Sequence, residues 1–366
     1  MSGPDRSLQA QLDRMEKARQ ARKARFKLRD HHVTLSHGSG GKASFNLLEG
    51  LIAPAFSNPL LDAQGDSAVF SANGGSGPMV AFTTDSYVVK PLFFPGGDIG
   101  KLAIHGTIND LAVAGAEPLA LSVGLILEEG LDMDVLRRVV DSMARAATEA
   151  GVEIATGDTK VVERGSADGL YVNTSGVGRV VAGVELSATR MRPGDMVLVS
   201  GYVGDHGMAV MLAREALEIE AEIVSDTAPL HGLCQAVLTA APGTRVLKDP
   251  TRGGVATSLN ELAIIAGLAI AVEEERVPVR TAVRGACEIL GIDPLHIANE
   301  GKLLAVVPPS EAEDALQAMK SVPGGEDAAV IGDVREEPEA MVLLETGIGG
   351  ARVLDMLVGD PLPRIC

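Results

Sequence analysis

The chain has 366 residues, which suits two or three domains, and 46% of them are hydrophobic. It has no tryptophan, three tyrosines and seven phenylalanines, so its cores must be aliphatic, and base stacking on aromatic platforms is disfavoured. The net charge is −17, but residues 1–29 carry nine Lys/Arg against three Asp/Glu, which leaves −23 on the remainder. This acidic body argues against a broad nucleic-acid surface.

The first half of the chain predicts alternating strands and helices. Residues 1–30 are polar and basic, with apolar side chains at helical spacing, and predict a solvated helix or a disordered arm. Helical periodicity is clear in Ile99–Val113 and in 132–150, where Asp132 is the N-cap candidate and Gly151 the stop. Apolar runs predict strands at 68–70, 79–84, 119–127, 152–156 and 170–181.

A turn signal at 192–195 opens a second unit with the same alternation. Strands are predicted at 196–200, 303–307, 329–334 and 341–344, and helices at 230–240, 255–266 and 311–319. We therefore expect an α/β protein with mixed sheets and two domains. The expected divisions are a basic extension at 1–30, domains at 31–185 and 186–340, and a flexible tail at 341–366.

The cysteines and apolar runs indicate a cytoplasmic protein. Three cysteines form no disulfide framework, and Cys234 and Cys287 are expected to be small buried apolar residues. The seven histidines lack the spacing of zinc ligands. The apolar run at 262–272 is too short to span a bilayer, and the basic N-terminus lacks the apolar core of a secretory signal.

The chain ends on a thiol, in Pro363-Arg364-Ile365-Cys366. A thiolate is a strong nucleophile, and on the last residue it can enter a pocket as a substrate would. A frayed terminus is the alternative, because chain ends are commonly disordered. The glycine-rich segment 347–350 and the two prolines near the end favour a swinging arm instead.

Two glycine-rich segments are candidate anion sites. The loop 37–42, His-Gly-Ser-Gly-Gly-Lys, offers backbone N–H groups, including those of Gly40 and Gly41, and one ammonium group. It is not a Walker A motif, and a simple flexible turn is the alternative. The segment 249–254, Asp-Pro-Thr-Arg-Gly-Gly, opens a predicted helix and suits either a phosphate or a left-handed turn.

Several aspartates lie at the ends of predicted elements: Asp62, Asp66, Asp85, Asp110, Asp158 and Asp249. Any one of them suits a cap or a turn, whereas the set suits Mg²⁺ bound to nucleotide phosphates, which needs hard oxygen ligands. The pair Asn109-Asp110 stands inside an apolar helical pattern, where polar residues usually face a partner or a site. Glu300 is either solvated surface or a base, and Lys160 either a surface residue or a phosphate partner.

The order of these motifs, from His-Gly-Ser-Gly-Gly-Lys to the terminal Pro-Arg-Ile-Cys, resembles the HypE family of nickel–iron hydrogenase maturation proteins over residues 34–366. That family belongs to the aminoimidazole ribonucleotide synthetase (PurM-like) superfamily. The internal motifs, such as Gly-Asp-Ser-Ala-Val, Thr-Thr-Asp-Ser-Tyr and Thr-Gly-Asp-Thr-Lys, are shared across the superfamily. The Pro-Arg-Ile-Cys ending is particular to the HypE family, and the basic extension lies outside the resemblance.

The resemblance implies a two-domain PurM-like fold, paired into a homodimer through the N-terminal sheets, with ATP and Mg²⁺ in a cleft. It implies that the partner HypF loads a carbamoyl group onto Cys366. ATP then drives dehydration of the S-carboxamide to an S-cyanate, whose cyano group passes to iron on a HypC–HypD complex. Other superfamily activities remain as alternatives, namely selenophosphate synthetase, thiamine-monophosphate kinase or the purine synthetase, as does a nucleotide-binding scaffold.

The resemblance also implies roles for individual residues. It assigns Mg²⁺ to Asp66, Asp85, Asp110 and Asp158. It assigns the nucleotide to these four together with Gly40, Gly41, Asn109, Thr159 and Asp249. Lys160 would stabilise the phosphoryl or amide oxygen, Glu300 would take the nitrogen proton, and Cys366 would carry the reacting group.

Overall fold

The computed structural model describes residues 31–38, 40–56, 58–74, 77–214, 222–357 and 364–366. The prediction for residues 1–30 therefore lies outside the described residues. Two mixed sheets, each with its own helices, organise the rest and confirm the predicted α/β class.

The first sheet has five strands in the order β1-β2-β7-β5-β6, and only the β5–β6 pair is parallel. Its strands are β1 Ala68–Ser71, β2 Met79–Tyr87, β5 Ala116–Glu128, β6 Glu153–Val162 and β7 Leu170–Val180; a separate two-stranded ladder joins β3 Phe93–Phe94 and β4 Gly97–Asp98. Before it come the short helices α1 Lys42–Leu47 and α2 Ala53–Phe56, joined by a π-helical turn at Leu48–Ile52.

Two helices follow the predicted periodicity and cover one face of this sheet. Helix α3, Ile99–Val113, is almost wholly buried, and the Asp98 carboxylate caps it by accepting from the N–H groups of Gly100 and Lys101. Helix α4, Met133–Ala150, begins after its cap Asp132 and ends at Gly151 in the left-handed conformation, as predicted. The other face of the sheet leaves large apolar side chains exposed.

The second sheet has seven strands in the order β14-β13-β10-β12-β8-β11-β9. They are β8 Met196–Val199, β9 Val246–Lys248, β10 Ala269–Glu273, β11 Leu304–Val307, β12 Ala329–Arg335, β13 Met341–Glu345 and β14 Ala351–Val353. The helices are α5 Asp205–Leu212, α6 His231–Ala240, α7 Gly254–Ala266, α8 Thr281–Leu290 and α9 Ala312–Lys320. Short 3₁₀ turns lie at Leu35–Gly38, Leu61–Ala63, Ala188–Arg190, Glu274–Arg276 and Pro294–His296.

The start of the predicted tail at residue 341 is corrected by the last two strands. Strand β13 pairs with β10 in parallel, and β14 pairs with β13, so residues 341–353 belong to the second sheet. Residues 347–350 are the turn of this hairpin, in which the Thr346 N–H donates to the Gly350 carbonyl at 2.8 Å, rather than a free hinge. Leu354 is fully buried in the second core, so any free arm starts later in the chain.

Cys234 and Cys287 are buried and unpaired, as predicted. Among the described helices, none combines the length and the apolar character needed to cross a bilayer.

Candidate active site

Three of the predicted aspartates converge at one end of α3. Thr83 on β2 points towards this helix, and its hydroxyl lies 2.7 Å from Asp110 Oδ2 and 3.0 Å from the Asp66 carbonyl oxygen. Asp85 lies two residues further along β2 and therefore on the same face of the sheet. Alternation along β2 puts Thr83 and Asp85 on one face, and the contacts of Thr83 bring Asp66 and Asp110 to the same region.

The second domain faces this cluster with two cations. Lys248, the last residue of β9, donates from Nζ to Asp66 Oδ1 at 2.6 Å and lies 3.3 Å from Glu261 Oε2. Arg252, in the turn before α7, places Nη2 3.8 Å from Asp85 Oδ1. The acidic groups of the first domain therefore lie in a cleft between the two domains.

The cluster holds more negative charge than these cations neutralise. Burial, and then the nearby charges of Asp249, Asp66 and Asp85, raises the pKa of Asp110 well above its ordinary value. Burial also raises the pKa of Asp249, with a further contribution from Asp66. Burial lowers the pKa of Lys248, but the carboxylates of Asp66 and Glu261 outweigh it, so that pKa lies above its ordinary value.

Glu300 belongs to the same electrostatic environment. It is buried, and burial followed by the charges of Asp249 and Asp85 raises its pKa well above the usual range. Its main chain is held on both sides, because its N–H donates to Asp226 Oδ1 at 3.0 Å and its carbonyl accepts from the Ala228 N–H at 3.2 Å. Glu300 is therefore a fixed, desolvated carboxyl group rather than a solvated surface residue.

Asn109 is buried beside Asp110 and contacts protein main chain. Its Nδ2 donates to the Ala228 carbonyl at 3.1 Å, and its Oδ1 accepts from the Leu230 N–H at 2.8 Å. In this structure Asn109 ties α3 to the segment 228–230 of the second domain. Its predicted role in nucleotide binding stays a prediction.

The last three residues form a strand-like pair with the segment that follows β2. The Val88 N–H donates to the Cys366 carbonyl at 3.3 Å, and the Lys90 N–H donates to the Arg364 carbonyl at 3.2 Å. Ile365 and Cys366 are buried within the first core, only 4% and 9% exposed. Main-chain pairing of this kind docks a peptide largely independently of sequence, so the side chains must supply the selectivity.

Two arginines hold the docked end. Arg214 donates from Nη2 to the Arg364 carbonyl at 2.7 Å and from Nε to the Lys90 carbonyl at 2.8 Å. Arg364 donates from Nε to the Val88 carbonyl at 3.0 Å and forms an ion pair with Asp168. The Pro-Arg-Ile-Cys ending thus has side-chain recognition at Arg364 as well as main-chain pairing.

Docking brings the terminal cysteine to the cleft. Negative charge on Cys366 is the largest cause of a raised pKa at Arg252, and Asp85 and Glu300 contribute to the same rise. The Arg252 guanidinium group is therefore within electrostatic reach of the end of the chain, of Asp85 and of the candidate base Glu300. The predicted carrier Cys366, the predicted base Glu300 and one predicted metal ligand, Asp85, therefore all influence the same guanidinium group.

The glycine loop 37–42 packs against the same turn. Gly40 has φ +76°, and a Cβ there would lie 2.6 Å from the Arg252 carbonyl oxygen, so only glycine fits. Arg252 donates from Nη1 to the Gly38 carbonyl at 3.1 Å, and Gly41 precedes α1. The described part of this loop therefore lies beside the cluster, as a nucleotide-binding role requires.

The structure does not bring Asp158, Thr159 and Lys160 to this cluster within one chain. All three lie exposed on β6, where Asp158 pairs with Lys160 and accepts from the Thr159 N–H. The prediction ended the strand at residue 156, but parallel pairing with β5 continues it to Val162. Asp158 shares a cross-strand row with Ser86, three strand spacings or about 14 Å away.

The residues at the cluster fit a divalent cation in their chemistry. Among the described residues, no three acidic, histidine or cysteine side chains are already arranged to hold a metal ion. Asp66, Asp85 and Asp110 nevertheless offer the hard carboxylate oxygens that Mg²⁺ prefers, and burial, followed by the neighbouring carboxylates, raises the pKa of Asp110. Lys248 occupies one Asp66 oxygen in this arrangement.

Family models match both halves of the chain. Residues 64–180 match the N-terminal domain of AIR synthase related proteins, and residues 192–344 match their C-terminal domain. The carbamoyl dehydratase HypE of Azotobacter vinelandii is 52% identical over 94% of this chain and 100% of its own. The chain belongs to the HypE carbamoyl dehydratase family.

Solved structures of this family share the fold. A HypE–HypF complex matches with a TM-score of 0.81 at 48% identity, over 85% of this chain and 99% of the HypE-like chain. A HypE structure in complex with ATP matches with a TM-score of 0.76 at 48% identity, over 92% of this chain and all of the other. The PurM-like fold class that the sequence predicted is confirmed.

Sequence reasoning left Lys248 and His206 out of the site, and it included Arg252 only as part of the segment 249–254 that suits a phosphate. Lys248 directly precedes Asp249 and Arg252 follows it by three residues, so two cations flanking that aspartate were a usable signal. His206 is fully buried and contacts the docked tail, and no motif marked it.

Proposed function

We propose that this protein is an ATP-dependent carbamoyl dehydratase that converts an S-carbamoyl group on its own Cys366 into an S-cyanate. The docked tail is the observation that carries the proposal, because the Cys366 carbonyl accepts from the Val88 N–H, three residues beyond Asp85, and Arg252 Nη2 lies 3.8 Å from Asp85 Oδ1. Family membership supports the same activity. A PurM-like kinase or synthetase has no use for a thiol delivered in this way.

The chemistry balances in two steps. The carbamoyl oxygen attacks the γ-phosphorus of ATP, ADP leaves, and one N–H proton is lost, which yields an S-linked imidoyl phosphate. The C–O bond then breaks, the remaining N–H proton leaves with phosphate, and the carbon–nitrogen triple bond forms. Phosphorylation is needed because the amide oxygen is otherwise a poor leaving group.

The chain's residues supply charge and a base for these steps. Arg252 is positioned to stabilise negative charge that develops near Cys366. Glu300 takes the first nitrogen proton, and its raised pKa makes it a strong base once it has ionised. Asp66, Asp85 and Asp110 would hold Mg²⁺, which would neutralise phosphate charge when bound. The same positive charge would favour ionisation of Glu300.

Intact mass measurement tests this function. The protein is incubated with HypF, carbamoyl phosphate and Mg-ATP, with Cys366→Ala in parallel. We expect a carbamoyl adduct on the wild type alone, followed by loss of one water, whereas Cys366→Ala should still bind ATP because no carboxylate of the cluster is changed. HypF as donor is supported by the known HypE–HypF complex.

The outcomes separate the alternatives. Absence of an adduct, with HypF shown to be active, would reduce Cys366 to an ordinary terminus. An adduct that persists with ATP bound would favour a nucleotide-binding carrier without dehydratase activity. The final cyanide acceptor is proposed to be a HypC–HypD complex. A cytoplasmic location is also proposed, since Cys234 and Cys287 are buried thiols that form no disulfide.

We also propose that two protomers pair through the open face of the first sheet. Phe82, Leu119 and Ile126 expose 42–52% of their surface there, on two different strands. Large apolar side chains exposed on one face of a sheet commonly mark an interface. Since Asp158 and Lys160 lie on the edge strand of this sheet, any role they have in the cluster would need the second protomer.

Mixed dimers test that arrangement. Asp110→Asn and Lys160→Ala chains, each inactive alone, should regain activity when mixed, because one of the two sites then has a wild-type Asp110 and a wild-type Lys160 from different chains. The recovered rate should be roughly a quarter of the wild-type rate per chain at equal, random mixing, since half the dimers are mixed and each has one intact site. Recovery would contradict a role for Lys160 within its own chain, and a fully active Lys160→Ala protein would remove Lys160 from the mechanism.

A further inference from the structure

His206 connects the docked tail to the segment that holds Glu300. The carbonyl oxygen of Ile365 has no proton, so the contact at 3.1 Å requires His206 Nε2–H to donate. Nδ1 is then the acceptor, and the Ser225 hydroxyl donates to it at 2.8 Å. The imidazole therefore has both nitrogens engaged, one by the tail and the other by the segment 225–228.

The surroundings hold the ring in this neutral form. His206 is completely buried, and burial lowers its pKa, although Asp226 and the Ile365 carbonyl act in the opposite direction. Phe94 packs its ring at 85° against the imidazole, with centroids 5.4 Å apart. In this tautomer the ring can keep both bonds only while the Ile365 carbonyl and the Ser225 hydroxyl stay in their present relative positions.

The segment 225–228 continues the connection to the catalytic side. The Ser225 N–H is anchored to the Pro95 carbonyl at 2.8 Å. Asp226 Oδ1 accepts from the Glu300 N–H, and the Ala228 N–H donates to the Glu300 carbonyl. The Ala228 carbonyl also accepts from Asn109, the neighbour of Asp110.

Close packing makes this segment stiff. A Cβ at Gly301 would lie 1.9 Å from the Asp226 carbonyl oxygen, so the segment lies directly against the main chain after Glu300. We therefore expect a shift at Ser225 to be passed to Asp226 and to the main chain of Glu300.

We propose that His206 is a positioning residue that couples docking of the tail to the placement of Glu300. This rests on the proposed dehydratase function. When Cys366 is docked, the Ile365 carbonyl fixes the imidazole, Ser225 is held, and Glu300 is set for proton abstraction. When the tail is not docked, for example while Cys366 is being carbamoylated, His206 Nε2 loses the Ile365 carbonyl as its partner. This contact then no longer holds Glu300 in place.

Two separate readouts test the proposal. The first is the rate at which iodoacetamide alkylates Cys366, identified by peptide mass. His206→Ala should raise this rate about ten-fold, the size expected when one net hydrogen bond is lost. The second is single-turnover water loss from protein already carbamoylated by HypF, which should slow by a similar or larger factor while the carbamoylation rate changes less than two-fold.

Two further variants separate positioning from structural damage. His206→Gln keeps a neutral donor and acceptor and should recover most of both losses. Ser225→Ala leaves the contact with the tail, so it should slow dehydration with little change in alkylation. His231→Ala, on α6 and outside this chain of bonds, is the matched control.

Each outcome decides the question. Faster alkylation with normal dehydration would show that His206 only holds the tail, and would overturn the coupling. An equal fall of carbamoylation and dehydration that His206→Gln does not restore would show general damage to the fold, and would also overturn it. A wild-type protein that accepts no carbamoyl group would refute the proposed function instead, and the alkylation rates would still show whether His206 contacts the tail.

Discussion

Asp110→Asn should lower ATP turnover by at least about 100-fold, the loss expected when one preorganised charged group is removed from an active site. Asparagine keeps the size of the side chain and can still accept the hydrogen bond from Thr83, which lies 2.7 Å from Asp110 Oδ2. It removes a negative charge from the centre of the aspartate cluster. The measurement is steady-state release of ADP by protein that is carbamoylated at Cys366, in the presence of Mg²⁺.

The same variant should not be less stable than the wild type. Burial and neighbouring carboxylates raise the pKa of Asp110, so the folded state disfavours its charged form, and a neutral amide relieves that cost. Asp141→Asn, an exposed carboxylate on α4, is the matched control and should leave both turnover and melting temperature unchanged. Unchanged turnover in Asp110→Asn with retained folding would remove Asp110 from the site.

Local patterns predicted most of the secondary structure. Helix α4 is the clearest example, since its N-cap at Asp132, its apolar stripe and its stop at Gly151 all lie within one segment. Helix α3 could also be predicted from its sequence, but its burial on nearly every side could not. Signals that reside in neighbouring residues can be recognised without knowing what packs against them.

Features set by distant partners could not be predicted in this way. The ion pair between Lys248 and Asp66 joins residues 182 positions apart, and their spacing in sequence carries no sign of it. Strand β6 runs through Asp158 and Lys160 because β5 pairs with it there, although the apolar run predicted a strand only as far as residue 156. The convergence of the aspartates was likewise implied by the family resemblance and not by their positions along the chain.

The tail shows how one pattern suits two structures. A glycine-rich segment such as 347–350 is compatible with a mobile hinge and with a hairpin turn, because glycine permits both. The antiparallel pairing of β14 with β13 decides for the turn, and β13 is itself held by parallel pairing with β10, some 70 residues earlier in the chain. The docking of the chain end could likewise not be predicted, because it depends on main-chain groups of residues 88–90 and on Arg214.

Glu300→Gln should permit carbamoylation of Cys366 by HypF but slow the following dehydration by about 10²- to 10⁴-fold, the usual contribution of a general base. Glutamine preserves the shape of the side chain and the main-chain bonds to Asp226 and Ala228, but cannot take a proton. Because the pKa of Glu300 is raised, the wild-type rate should increase with pH until that carboxyl group has ionised. The glutamine variant should lack this rise.

Single-turnover water loss, measured by intact mass across a pH series, checks both expectations. Glu288→Gln, an exposed carboxylate on α8, is the matched control and should follow the wild-type profile. Normal dehydration in Glu300→Gln would transfer the role of base to another group. A slow but still pH-dependent reaction would point to Asp249, whose pKa is raised by the same burial, because Glu300 would then hold the substrate while the neighbouring carboxyl group takes the proton.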